Sequence, residues 1–164
     1  MTELDPLQKT LAHGLRQMGL ELEESVQARL IAYIRLFEKW NKAYNLSAVR
    51  NVNDMVNRHL LDSLSILNHI KGQRLIDVGT GGGLPGIPLA ICRPDTKVDL
   101  LDSNGKKTRF LFQVKTTLGL DNVEVLNCRV ESHQPTELYD GVVSRAFASL
   151  EDMTSGCRHL LKPE

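Results

Sequence analysis

The chain has 164 residues, with 41% hydrophobic and 24% charged residues, and its 20 basic and 20 acidic side chains cancel. These values are typical of one globular α/β domain with a sizeable core, and the balanced charge gives no support for a basic nucleic-acid module. No apolar run reaches the roughly 18 residues that a membrane span requires. The three cysteines, Cys92, Cys128 and Cys157, fit no metal or redox motif, so we expect buried free thiols and a cytoplasmic location.

The first seventy residues have the apolar periodicity of helices. One helix is predicted over about Leu7–Met18, and a longer one over about Glu24–Lys42, where Glu23 is a weak cap. A third helix is predicted from an Asn53 cap to about Ile70. Residues 1–72 are therefore expected to form an N-terminal helical cap.

From residue 74 onward, short β-rich runs alternate with helical segments. Strands are predicted over 74–79, 97–103, 122–128 and 139–147, with helices near Gly86–Cys92, Lys106–Leu118 and Leu150–Leu161. Such alternation predicts an α/β fold with a mostly parallel, doubly wound sheet over residues 73–164. The loops that follow the strands then share one ligand-binding edge.

A glycine-rich loop, "GTGGGLPG", follows the first predicted strand. A dinucleotide pattern GxGxxG can be drawn through Gly81, Gly83 and Gly86, but counted from the strand end the pattern is GxGxG at 79, 81 and 83. Leu84 then stands where a dinucleotide loop needs its third glycine. Asp77, in the last turn of the strand, can accept N–H groups of the loop or approach a cationic amino acid. This register favours S-adenosylmethionine over a dinucleotide.

The ends of the other strands also carry candidate ligands. Asp102 is placed to accept ribose hydroxyls, and the alternative is a solvated acid that caps the helix beginning at Lys106. Val130 and Glu131 follow the third strand, where a base edge can lie. Arg145 follows the fourth strand and is either a site residue or a surface cation paired with Glu131.

Several of these segments together resemble one family. The segments "DVGTGGGLPGIPLA", "LLDSNGKKTRFL", "RVE" and "DGVVSRAFASL", with the upstream "FEKWNKAYNLSAVRNVNDMVNRHLLDSL", are similar to the glucose-inhibited division protein B family of bacterial 16S rRNA guanine-N7 methyltransferases (methyltransferase G). The resemblance covers about residues 7–162. It implies a class I S-adenosylmethionine methyltransferase fold (Rossmann-like) with an N-terminal helical extension, and methylation of N7 of one guanine (position 527) in small-subunit rRNA.

The resemblance also implies a set of residues that bind the cofactor, S-adenosyl-L-methionine. They are Gly79, Leu84, Val130, Glu131 and Arg145, with Asp102 and Ser103 at the ribose end. The loop register adds Asp77, Thr80, Gly81 and Gly83 to the predicted cofactor site. Enzymes that methylate exocyclic amines commonly carry an Asn/Asp-Pro-Pro-aromatic motif after the fourth strand, whereas this chain has Ser144-Arg145-Ala146-Phe147. Guanine N7 carries no proton, so we assign no catalytic base and expect catalysis by positioning.

Contacts with RNA are predicted less directly. Phe147 either stacks on the target base or is a core aromatic. Lys106, Lys107 and Arg109 either contact phosphates or form a solvated helix face. A family motif, RHxxDS, supplies Arg58 and His59 as further candidates, although Arg58 and Asp62 are four residues apart and could form a surface ion pair. His59 is expected to face the rim of the cofactor loop.

Family members continue beyond the last residues of this chain, so we expect its C-terminal strands to be missing and its fourth strand to be an edge. We expect a monomer whose partner is 16S rRNA or the small ribosomal subunit, with no metal and no membrane. Two alternative functions stay open: an NAD(P)-dependent oxidoreductase of similar fold, and a non-catalytic RNA-binding protein.

Overall fold

The computed structural model describes residues 5–145, 147 and 149–163. Four parallel strands form one sheet in the order β3-β2-β1-β4: β1 is Arg74–Val78, β2 Lys97–Asp102, β3 Val123–Asn127 and β4 Gly141–Val143. The predicted parallel α/β sheet is thus confirmed. Successive residues of β2 face two hydrophobic clusters, since Leu100 belongs to one and Leu101 to the other, as expected for a sheet covered on both faces.

The helices of the sheet domain lie close to their predicted bounds. Helix α5 spans Gly86–Cys92, α6 spans Gly105–Leu118, and α7 spans Leu150–Cys157 with a 3₁₀ turn over Arg158–Leu160. A further 3₁₀ turn, Val130–Ser132, follows β3. Asn104 caps α6 by accepting the N–H groups of Lys106 and Lys107, so the alternative interpretation of Asp102 as that cap was wrong.

The N-terminal segment is helical, as predicted. Helix α1 spans Pro6–Met18 and α2 spans Glu24–Tyr44, and Glu23 makes no side-chain capping bond. One hydrophobic cluster contains both Leu11 of α1 and Val123 of β3. The helical cap and the sheet domain predicted from the sequence therefore share a core.

The third predicted helix differs from its prediction. Its cap is Asn51, whose extended backbone lets the side chain accept the N–H groups of Asn53 and Asp54, so the assignment to Asn53 was wrong. The chain then forms α3 (Val52–Met55), a π-helical turn (Val56–Leu61), α4 (Asp62–Leu64) and a 3₁₀ turn (Leu67–His69). A π turn inside a helix frequently marks a functional site.

Strand β4 is shorter than predicted. Before it, Tyr139 N–H donates to Leu160 O and Lys162 N–H donates to Tyr139 O, on the side away from β1. After it, the Ser144 hydroxyl donates to Val78 O at 2.6 Å. This side-chain bond takes a carbonyl group that a longer β1–β4 ladder would use. Ala146 and Ala148 of the predicted strand-end segment, and Glu164, lie outside the described residues.

Candidate active site at the carboxyl edge of the sheet

The glycine loop leaves β1 in a conformation that needs glycine at three positions. Gly79, Gly81 and Gly83 have φ values of 67°, 59° and 100°, in the left-handed region that side chains disfavour. The N–H groups of Gly79 and Thr80 both donate to Leu101 O, at 2.8 and 3.1 Å, which holds the start of the loop against β2. The predicted GxGxG register therefore matches the backbone.

The two glycines that the register leaves unexplained, Gly82 and Gly86, are required by packing. A Cβ on Gly82 would lie 2.4 Å from Cε2 of Phe37, and one on Gly86 would lie 2.3 Å from Cδ2 of Leu100. Both distances are far below van der Waals contact. Helix α2 therefore lies directly against the loop.

Asp77 holds the loop through one oxygen and leaves the other without a partner. Its Oδ2 accepts the Thr80 hydroxyl at 2.6 Å and the Gly86 N–H at 2.8 Å. Its Oδ1 is buried and has no hydrogen-bond partner among the described residues. Burial raises the pKa of this carboxyl to about 8, although the hydrogen bonds from Thr80 and Gly86 oppose the rise. A buried oxygen without a partner, such as Oδ1 of Asp77, suits a cationic or hydrogen-bonding group of a ligand.

Asp102 is oriented by two backbone N–H groups. Oδ2 accepts from Gly81 at 2.9 Å and Oδ1 accepts from Asn104 at 2.8 Å. A carboxylate oxygen can accept more than one hydrogen bond, so both oxygens retain capacity for a pair of hydroxyl groups. The geometry suits the predicted ribose contact.

A cavity of about 400 Å³ lies on one side of Gly79; we call it the first cavity. Asp102 and Ser103 form its wall after β2, and Val130 and Glu131 form its wall after β3. Phe147 also lines it and packs on Gly156 of α7. Five of the predicted cofactor residues (Gly79, Asp102, Ser103, Val130 and Glu131) are thus brought together here, and Phe147 adjoins them.

A second cavity, of about 260 Å³, lies on the other side of Gly79. The loop forms one wall, and Arg145 and His59 form others. Two of its lining residues, Leu46 and Ser47, were not predicted from the sequence to belong to the site. The second cavity is lined by Leu46, Ser47, His59, Gly79, Thr80, Gly81, Gly82, Leu84 and Arg145.

His59 faces the rim of the loop, as predicted. It lies on the π turn, is only 6% exposed, and its Nε2 is 2.9 Å from the Ser47 hydroxyl. Burial lowers the pKa of His59, and the positive charge of Arg145 lowers it further. His59 is therefore a neutral hydrogen-bonding group at pH 7.

Arg145 pairs with Asp62. The guanidinium Nη2 lies 3.8 Å from Asp62 Oδ2, and both side chains are partly exposed. The alternative that Arg145 pairs with Glu131 was therefore wrong, because Arg145 turns toward α4 and away from the first cavity. The spacing in the sequence also allowed an ion pair between Asp62 and Arg58, but the Asp62 carboxylate is paired with Arg145 instead.

The predicted RNA-contacting cations lie outside both cavities. Lys106 and Arg109 are exposed on α6, and Lys107 is half-buried there. Arg58 is exposed on the π turn. Helix α6 contains no acidic residue, so every charged side chain on its outer face is basic.

Two kinds of feature are absent from the described residues, 5–145, 147 and 149–163. No helix there is both long and apolar enough to cross a membrane. No group of three or more His, Cys, Asp or Glu side chains could bind a metal ion there.

The chain is similar to known proteins over most of its length. The family model described as GidB, rRNA small subunit methyltransferase G, matches residues 26–164. A relative in Cellvibrio japonicus (strain Ueda107), named ribosomal RNA small subunit methyltransferase G, is 64% identical over 162 residues, which are 96% of this chain and 74% of the relative. A protein of the same name in Pseudomonas syringae pv. syringae (strain B728a) is 59% identical over 92% of this chain and 70% of its own length.

Solved structures share the fold at low identity. Coclaurine N-methyltransferase, bound to N-methylheliamine and SAH, has a TM-score of 0.59 at 17% identity, over 96% of this chain and 53% of its own. A SAM-dependent methyltransferase from Thiobacillus denitrificans, in complex with S-adenosyl-L-homocysteine, has a TM-score of 0.53 at 16% identity, over 79% and 52% of the two chains. The chain thus spans about half the length of these structures. The likeness shows the Rossmann-like class I methyltransferase fold.

Proposed function

Because the chain belongs to the GidB family of rRNA small subunit methyltransferase G proteins, we propose that it methylates N7 of a guanine in 16S rRNA, with S-adenosyl-L-methionine as methyl donor. The observation that carries the proposal is the pair of carboxylates, Asp77 and Asp102, at the two sides of the glycine loop. One has an orphan oxygen in a buried position and the other has spare acceptor capacity beside an open cavity. When bound, the cofactor supplies a methyl group on a sulfonium.

The first cavity would hold the adenosine end. Asp102 is aligned by Gly81 and Asn104 to accept ribose hydroxyls, and Ser103 stands beside it. Val130 and Glu131 then lie next to the adenine of the cofactor, and the Val130 side chain gives it an apolar surface. Phe147 also lines this cavity. Its position therefore suits a contact with the adenosine better than the predicted stacking on the target guanine.

The second cavity would hold the amino-acid end. Asp77 lies behind the loop that forms a wall of this cavity, and its unpartnered oxygen suits a cationic amino group, which would favour the ionised carboxyl. Gly81 and Gly82 present their backbone to the same wall without side chains. Thr80 and Leu84 line the same wall. The position of Arg145, also in this cavity, suits contact with a carboxylate or with the incoming base.

Methylation of guanine N7 requires no general acid or base from the protein. Guanine N7 offers a lone pair and loses no proton, so the side chains need only align N7, methyl carbon and sulfur. Positioning of this kind can lower a barrier by about 7–11 kcal/mol. His59, neutral and held by Ser47, would serve as one of the groups that fix the base.

Phosphate contacts are assigned to α6 and the π turn. Lys106, Lys107 and Arg109 follow Ser103 by three to six residues in the chain, so a strand of RNA that enters the site can cross them. Phe112, on the same helix, is 52% exposed and offers a stacking surface for an unpaired base. The proposal also places the protein in the cytoplasm as a monomer acting on the 16S rRNA or the small subunit.

The direct test is methyl transfer to small ribosomal subunits, and to the RNA extracted from them, prepared from a strain that lacks this enzyme. We expect transfer of labelled methyl from S-adenosylmethionine to a single guanine, detected as N7-methylguanine by chemical cleavage at the modified nucleotide. Binding of the cofactor without transfer to either substrate would instead favour a non-catalytic RNA-binding protein.

A thermal-shift comparison separates the proposal from the oxidoreductase alternative. We expect S-adenosylhomocysteine to raise the midpoint of thermal unfolding, because a ligand that binds only the folded state stabilises it. Stabilisation by NAD(H), and none by S-adenosylhomocysteine, would overturn the proposal.

A further inference from the structure

A third cavity, of about 310 Å³, adjoins the second one at Arg145. Its walls are largely apolar, with Ile66, Pro85, Val143 and Met153 among them. Gly79 is shared by the first and second cavities, and Arg145 by the second and third. The three cavities therefore follow one another along the carboxyl edge of the sheet, and the third is next to the one assigned to the amino-acid end of the cofactor.

Polar groups of α4 line the third cavity without being fully used by the protein. Ser63 is 2% exposed, and its hydroxyl has no hydrogen-bond partner among the described residues. Asp62 keeps a half-exposed carboxylate whose contact with Arg145 is a loose 3.8 Å. A buried hydroxyl and a carboxylate with spare acceptor capacity, both beside apolar walls, are the pattern of a binding site for a flat polar ligand.

We propose that the third cavity receives the extruded guanine, and that Asp62 reads its Watson–Crick edge. This inference rests on the proposed function and goes further, because it names the pocket and the residue that select guanine. On the guanine ring, the acceptor O6 adjoins the donors N1–H and N2–H₂. The structure places a donor, the Arg145 guanidinium, 3.8 Å from an acceptor, the Asp62 carboxylate. The guanidinium can therefore meet O6 while the carboxylate meets the neighbouring donors.

The orientation that follows is consistent with the chemistry. With O6 at Arg145, and with N1–H and N2–H₂ both at the Asp62 carboxylate, N7 is on the side of the second cavity, where the methyl group would be held. As the lone pair of N7 forms the new bond to carbon, the carbon–sulfur pair stays on sulfur, and the purine gains one positive charge without losing a proton. The negative charge of Asp62 favours that cationic product. Adenine presents an acceptor at N1 and would leave the Asp62 carboxylate facing a lone pair.

The test replaces guanosine by inosine, which lacks only the N2 amino group. Small subunits are reconstituted with 16S rRNA that carries guanosine or inosine at the target position, and single-turnover methylation is measured at saturating S-adenosylmethionine. Wild-type protein should be slower on inosine by roughly tenfold, because one hydrogen bond to a charged group is lost. Asp62→Ala should be slow on guanosine and should lose the difference between the two nucleotides, with Asp62→Asn intermediate.

Two further measurements make the result specific to Asp62. The affinity of the protein saturated with S-adenosylhomocysteine for the two kinds of subunit should show the same discrimination and the same loss in Asp62→Ala. Asp54→Ala is the control, since Asp54 is an exposed acid of α3; it should behave as wild type. Equal wild-type rates on the two nucleotides would overturn the inference, as would an equal loss on both in Asp62→Ala. No methylation of guanosine by wild type would overturn the proposed function itself.

Discussion

The hydroxyl group of Tyr33 donates a 2.7 Å hydrogen bond to the carbonyl oxygen of Gly82. Tyr33 is fully buried on α2, and one turn further along, Phe37 packs on the same glycine. The Phe37 ring also meets Phe110 of α6 edge-on, with centroids 5.8 Å apart. The shape of the cofactor loop is therefore maintained by the N-terminal helices as well as by the strand it leaves.

Tyr33→Phe should weaken the binding of S-adenosylhomocysteine and should also lower stability, because the buried Gly82 carbonyl loses its donor. The ring and its packing stay, and only the bond to Gly82 O is lost, which corresponds to roughly a fivefold loss of affinity if about 1 kcal/mol is realised in binding. Isothermal titration calorimetry and the unfolding midpoint measure the two effects. Tyr44→Phe, at an exposed tyrosine of α2, is the control. A lower midpoint with unchanged affinity would restrict Tyr33 to a structural role.

Gly82→Ala should destabilise the protein, because its new methyl group overlaps the Phe37 ring. Overpacking of this kind costs about 1–3 kcal/mol in the free energy of unfolding, measured by urea denaturation. Gly105→Ala is the matched control, since a Cβ there has no neighbour closer than 3.8 Å. Adding Phe37→Leu to Gly82→Ala should recover part of the loss, and failure of this rescue would contradict the packing explanation.

The stability of the ligand-free protein should fall as the pH rises toward 8, because of Asp77. Its pKa is about 8 in the folded protein against an ordinary 3.8, so between these values the folded state binds one more proton than the unfolded state. Its contribution is complete below the ordinary value and declines by up to about 1.4 kcal/mol per pH unit as pH rises. Asp77→Asn should flatten this dependence, measured by urea denaturation from pH 5 to 8, whereas Asp121→Asn, at an exposed loop acid, should not.

The same carboxyl should couple ligand binding to proton release. A cationic amino group favours ionised Asp77, so binding of S-adenosylhomocysteine near pH 7 should release a proton that Asp77→Asn does not release. Calorimetry in buffers of different ionisation enthalpy measures this proton. Equal proton release by the two proteins would place the ligand's amino group away from Asp77.

Replacing the three cations of α6, Lys106, Lys107 and Arg109, by glutamine should weaken RNA binding and lower its salt dependence. Each phosphate contact adds roughly 0.7–0.9 to the slope of log affinity against log salt, so three contacts should reduce the slope by about two. Filter binding at several salt concentrations measures it. Lys71→Gln with Lys97→Gln, near the amino end of the strands, is the control. An unchanged slope would show that the α6 cations are solvated and do not contact RNA phosphates.

His59→Ala should slow methyl transfer by roughly tenfold if the imidazole positions the base, while the affinity for S-adenosylhomocysteine changes less. Ser47→Ala, which removes the partner of Nε2 but keeps the ring, should have a smaller effect in the same direction. His69→Ala, at an exposed histidine, serves as the control in single-turnover assays. Full activity of His59→Ala would remove its role in the site.

Local patterns in the sequence predicted the sheet and the loop well. The alternation of strands and helices and the register of Gly79, Gly81 and Gly83 depend on residues close together in the chain, and the observed φ values agree with that register. Boundaries were less predictable where two local interpretations competed. Asn51 and Asn53 are both good caps, and the backbone conformation decides between them.

Contacts between distant segments could not be predicted. Nothing near Gly82 in the chain reveals that Phe37 occupies the place of its Cβ, and nothing near Arg145 reveals that Asp62 is its partner. Ser47 was missed because a serine after a helix has no pattern of its own until folding brings it to His59.

The sequence by itself determined the kind of ligand, because backbone that must approach a cofactor needs glycines, and the register of glycines is local. Only the tertiary structure decided which side chains surround that ligand. Packing brings α2, the π turn and the end of β4 to the loop from separate parts of the chain. Those contacts depend on the shapes and burial of side chains that are distant in the chain. No pattern of neighbouring residues in the sequence therefore reveals them.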